Sequence, residues 1–179
     1  MPLFRPNGLL PLLATPLLLA ACSPTFNWRA LPTDGAPLQA LMPCKPEKAE
    51  RQVPLAGVAT SLQMRSCEAG GLTFAVAWAD VGDAARVAPA LAGWRRASLL
   101  ALQADPALAD RPPAGAPRPV KGASEAIGLQ AEGRDHRGAP MRMQAVHATR
   151  GTLIVQAAVY GAAIDERAAA TFFEGLELP

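Results

Sequence analysis

The clearest pattern in the chain is an alternation of period two that switches to period three-to-four and back again. In "LTFAVAWADV" Leu72, Phe74, Val76 and Trp78 fall on one face of an extended segment. The preceding stretch "TSLQMRSCEA" alternates Leu62, Met64 and Ser66 with Gln63, Arg65 and Cys67. Gly70–Gly71 lies between the two runs and supplies a tight turn, so residues 60–81 read as a hairpin. "RQVPLAG" (51–57) is a further short strand, and Pro54 places it at a sheet edge, because proline has no amide to give to a ladder.

From 83 to 105 the period changes. Val87, Leu91, Trp94, Ser98 and Leu102 recur at three- and four-residue steps, which is one face of a helix. Asp83 is its candidate cap, and Pro89 predicts that the regular part starts near 88, since proline suits a first turn and harms an interior. "DPALADRPPAGAPRP" (105–119) is a proline-rich connection. Strands follow at 124–133, 140–149 and 152–161, separated by the polar turn "GRDHRG" (133–138) and by Arg150–Gly151. "LIVQAAVYG" has the apolar density of a central strand. Residues 165–179 close the chain as a short helix capped by Gly175, with Phe172, Phe173 and Leu176 facing the core. The order predicts an α+β fold: an antiparallel sheet of about five or six strands, flanked by a central helix and a short C-terminal helix.

The first residues carry a different signal. Arg5 precedes a Leu/Ala/Pro run that Pro11 and Pro16 break, too short for a spanning helix and matched to a signal peptide over 1–21. The run ends on Leu19-Ala20-Ala21-Cys22, which resembles the lipobox of bacterial lipoproteins. The resemblance implies acylation of Cys22 by palmitate-type chains and cleavage before it. Ser23, rather than Asp, after the cysteine implies sorting to the outer membrane. The expected organisation is a signal peptide (1–21), a tether of little regular structure (22–42) and an α+β domain (43–179). Phe26 and Trp28 are the exceptions in the tether, and docking on the domain is expected over a place at the lipid interface.

Composition narrows the chemistry. The chain has 17 basic against 15 acidic residues with no basic stripe, which argues against a nucleic-acid partner. Beyond Cys22 only Cys44 and Cys67 remain. In an exported domain such a pair reads as a disulfide, and it lacks the Cys-x-x-Cys spacing of redox sites. No nucleophile elbow, phosphate loop, dinucleotide fingerprint or zinc helix is present, so no cofactor and no catalytic residue is assigned. An unrecognised enzyme site would draw on Glu68, Asp80 or His147, whereas His136 sits in a charged turn and reads as solvated. Met141, Met143 and His147 share one face at strand period, and thioethers with imidazole suit Cu(I), which makes copper binding the alternative metal reading.

The phrases "FNWR", "MPCKPEKAERQVPLAG" and "LQMRSCEAGGLTFAVAWADV" are similar to a group of uncharacterised bacterial lipoproteins. The ending "TFFEGLEL" resembles the closing helix of small periplasmic domains with a PsbP-like α/β fold. That resemblance implies an antiparallel sheet with flanking helices and transfers no catalytic residue. The expected function is non-enzymatic binding of an envelope protein or a small ligand. The expected address is the cell envelope, as an outer-membrane lipoprotein held through its lipid anchor and facing the periplasm.

Overall fold

A computed structural model describes residues 25–111 and 119–179. The signal peptide and Cys22 lie outside these described residues. The fold is α+β: a six-stranded antiparallel sheet, a small two-stranded sheet and two helices. In chain order the elements are β1 (Arg29–Ala30), β2 (Leu41–Met42), β3 (Glu47–Leu55), β4 (Val58–Ala69), β5 (Leu72–Asp80), α1 (Ala84–Ala101), β6 (Glu125–Arg134), β7 (Pro140–Arg150), β8 (Leu153–Gly161) and α2 (Glu166–Glu174). The large sheet runs β3-β4-β5-β8-β7-β6. Each half is a three-strand meander followed by a helix, and the halves join where β5 pairs with β8, Phe74 opposite Val159. β3, with Pro54, is an edge strand as its composition requires.

Side-chain parity sorts the sheet into two faces. Phe74, Val76 and Trp78 of β5 join Val155, Ala157 and Val159 of β8 in one apolar cluster, which also holds Phe172 and Phe173 of α2. Ala77 and Ala79 face the other way, with Ile154, against Leu91 and Trp94 of α1. Further along that second face Leu99 and Leu102 pack with Leu129, Met143 and Ala158. α1 crosses the face obliquely. Near its start the Arg86 guanidinium donates to the Leu55 carbonyl at 3.0 Å, and just past its end the Leu102 carbonyl accepts from the Arg134 amide at 2.8 Å.

Two expectations change on the structure. The stretch expected as a tether forms only two two-residue strands, yet Leu31, Leu38, Ala40 and Met42 are buried in the core and Phe26 and Trp28 pack beside it. Its apolar residues are spaced irregularly because they follow a loop, so periodicity did not reveal them. The helix starts at Ala84, not near 88, with Asp83 capping the Ala85 amide at 2.8 Å. Pro89 is tolerated inside because it is exposed, and so is Ala85, whose carbonyl it leaves without an amide partner. Gly175 caps α2 as expected, with a right-handed backbone at φ −77°. Glycine is needed there for space, since a Cβ would lie 2.8 Å from Leu41 Cγ.

Candidate functional site

Cys44 and Cys67 form a disulfide, with Cα atoms 6.0 Å apart. Cys67 sits on β4 opposite Phe74, so the bond ties the N-terminal segment to the aromatic face of the sheet. Closing a loop with a sequence separation of 23 is worth roughly 3 kcal/mol in the chain-entropy account.

The sequence-selected acids and histidines do not converge. Glu68 lies opposite Thr73 at one end of β5, and Asp80 ends the same strand at the other. Seven residues of strand separate those ends, about 23 Å. Asp80 is engaged locally: hydrogen bonds from the Thr152 side chain and the Gly82 amide hold its carboxyl below the usual carboxylate range. His136 is exposed in the β6–β7 loop, where its Nε2 accepts from Arg137 Nε at 3.3 Å.

His147 is fully buried between β7 and α1. Trp94 meets it edge-on with ring centroids 6.1 Å apart. Gln156 on β8, paired with His147 in register, places its Nε2 2.9 Å from His147 Nε2 and 2.8 Å from Ser98 Oγ. Both amide hydrogens of Gln156 are thereby used, and the ring nitrogen facing it is an acceptor. Nδ1 has no hydrogen-bond partner among the described residues. Burial, with a smaller push from the Arg95 charge, drives the imidazole down to about 3, so it is neutral at physiological pH. A neutral ring sealed under a helix is a core residue. Met143 shares its face but packs among Leu99, Leu102 and Leu129. The strand rise separates Met143 from His147 by about 13 Å, so the two methionines and the imidazole line a face without meeting at a common point.

The oblique path of α1 leaves part of this face open at the Glu68 end. There a groove of about 690 Å³ runs between the end of α1, the sheet and the β6–β7 loop. Leu102, Met141 and Tyr160 supply apolar surface, and Arg134, His136 and Arg137 stand on the loop side, with Glu68 across from them. Burial pushes the Tyr160 phenol up. The loop is built by Asp135, whose carboxylate accepts the Arg137 and Ala139 amides at 2.8 Å each. These two bonds, that from the Ala139 amide the larger, hold the Asp135 carboxyl below its ordinary value. The groove is the size of a small-ligand site and mixes apolar walls with a few charged groups at its rim. Of the sequence-selected residues, it gathers Glu68, His136 and Met141 and leaves out Asp80, Met143 and His147. Tyr160 and the two arginines escaped the sequence reading. Tyr160 looked like one more core position of a central strand, and the arginines like turn polarity.

A second hollow, of about 720 Å³, lies at the Asp80 end, where Trp78, Gln63 and Ser61 face Ala36 and Pro37. The charged groups at that end are committed elsewhere: Arg150 donates to the Leu178 carbonyl. Trp78 carries the Arg65 guanidinium 5.0 Å from its ring centroid, and Arg65 is paired with Asp34. Among the described residues no helix is long and apolar enough to cross a membrane. No family model, curated protein or solved structure matches this chain.

Proposed function

We propose that this chain is a non-enzymatic lipoprotein of the cell envelope, anchored at the outer membrane through Cys22 and facing the periplasm, whose domain binds a small amphipathic ligand in the groove beside the end of α1. The observation that carries the binding reading is the groove itself, with Leu102, Met141 and Tyr160 as apolar wall and Arg134 and Arg137 at the rim. Such a lining favours a molecule with an apolar body and an anionic group. The address is supported by the apolar run closing on Leu19-Ala20-Ala21-Cys22 and by the Cys44–Cys67 bridge, which suits an oxidising compartment. The non-enzymatic reading is supported by the scatter of Glu68, Asp80 and His147 over the sheet.

Native mass spectrometry of the protein extracted from membranes in mild detergent tests the reading. A co-purifying small molecule is expected on the wild-type chain and is expected to be lost in Ala101→Trp, which fills the groove from α1. Retention of the same adduct by that variant, or no adduct on either protein, would overturn the groove as the binding site.

A further inference from the structure

The route of the chain past Phe26 limits how the domain can stand on a membrane. The Phe26 ring packs on Trp28 and Phe74 with centroids 6.0 and 6.1 Å away. Its Cζ lies 2.7 Å from the position a Cβ at Gly70 would take, so glycine there lets the ring lie over the Gly70–Gly71 turn. Phe26 is therefore pinned to one end of the sheet. Only Ser23, Pro24 and Thr25 separate it from Cys22. Four Cα–Cα steps of 3.8 Å span at most about 14 Å. The nine residues of β5 extend about 30 Å. A lipid on Cys22 consequently holds the Gly70–Gly71 end at the bilayer and leaves the Asp80 end pointing away.

The same end carries the β6–β7 loop, because β4 finishes and β7 begins there in the antiparallel order, and Glu68 and Thr73 share the groove with Arg134 and Arg137. Arg134 donates to the Gly138 carbonyl at 2.7 Å and Arg137 to His136, and neither arginine has an ion-pair partner among the described residues. Asp135 beside them is turned onto the loop backbone, and Glu68 lies across the groove. The loop thus presents two exposed guanidinium groups on the side that a short leash brings to the headgroups.

We propose that this end of the domain docks on the lipid surface that holds the anchor, with Arg134 and Arg137 against anionic phosphate headgroups and the groove mouth opening into the headgroup layer. The docking rests on acylation of Cys22.

Once Cys22 carries the lipid none of the three cysteines is a free thiol, since Cys44 is bridged to Cys67. A fluorophore can therefore be placed at Ala139→Cys beside the loop or at Ala59→Cys on the far end of β4, both exposed positions. In vesicles of phosphatidylethanolamine and phosphatidylglycerol containing headgroup-quencher lipid, quenching is expected to be several-fold stronger at position 139 than at 59. Arg134→Gln with Arg137→Gln is expected to weaken docking about fivefold per arginine, and to have no effect in phosphatidylcholine vesicles. Equal quenching at both positions on protein whose mass shows acylated Cys22 would overturn the docking alone. Strong quenching at 139 that ignores both the arginines and phosphatidylglycerol would overturn the headgroup contact. An unmodified Cys22 in the intact mass would overturn the anchoring reading and the docking with it.

Discussion

The two faces of the sheet grow from the same alternating strands and are closed by different means. On one face Phe74 is the hub, with Trp28, Phe26 and Phe172 at 6.0, 6.1 and 5.3 Å between ring centroids. Those rings come from opposite ends of the chain, and the Cys44–Cys67 bond adds a covalent tie. The other face meets α1, and its middle holds a polar row of His147, Gln156 and Ser98 among alanines and leucines. The difference follows from backbone needs. A helix satisfies its own amides and can lie on a sheet through side chains alone. The N-terminal segment has two short strands and few ladder bonds, so its position depends mainly on buried side chains, with aromatic packing and a disulfide prominent among its ties.

That contrast can be tested from its strongest point downward. Phe74→Ala removes the hub, and a loss of about 3–5 kcal/mol is expected. Urea unfolding at constant slope measures it, and a loss below about 1 kcal/mol would show that the aromatic rings do not hold that face. Reducing the disulfide is next, at about 3 kcal/mol. Hydrogen exchange should then quicken over residues 25–46 and leave the amides under α1 protected; equal loosening of both would dissolve the contrast.

The opposite face has its own signature in pH. His147 is held near 3 in the folded protein against an ordinary value of 6.5. Because the folded pKa is depressed, the unfolded chain takes up the proton first. The stability this neutral ring contributes is complete above 6.5 and is lost as pH falls from 6.5 toward 3. At about 1.4 kcal/mol per pH unit, roughly 2 kcal/mol is expected to go by pH 5. His147→Gln should flatten that slope relative to the wild type; identical slopes would mean that the imidazole does not titrate as a buried group.

Smaller effects complete the series. Asp34 holds buried Arg65 and exposed Lys48 together, and hydrogen bonds from both, Lys48's the larger, keep its carboxyl low. Asp34→Asn should raise amide exchange over residues 31–38 by less than reduction of the disulfide does. Leu100 is 61% exposed on the outer side of α1, and Leu100→Lys should change stability by no more than about 0.5 kcal/mol.

Much of this architecture can be read in the residues alone. The expected strands 60–69, 72–81, 124–133, 140–149 and 152–161 end within two residues of β4, β5, β6, β7 and β8. Each is an alternating or densely apolar run bounded by glycine, proline or polar turns, so local preference and burial agree. β3 begins earlier, at Glu47, because a charged edge strand carries little hydrophobic period to mark its start. The candidate site was less legible. Met141 and His147 share a face, yet the helix crossing that face buries His147 under Trp94 and leaves Met141 beside the groove with Tyr160.

By itself the sequence determined which residues share a face, where the chain turns, and which two cysteines stand ready to pair, because these follow from side-chain period, backbone freedom and composition. The tertiary structure alone decided what covers each face. It put Leu31, Leu38, Ala40 and Met42 into the core, Arg65 beneath Asp34, and an open groove where α1 slants away from β4. Period is a local property of a few residues, whereas coverage depends on segments far apart in the chain meeting across the sheet.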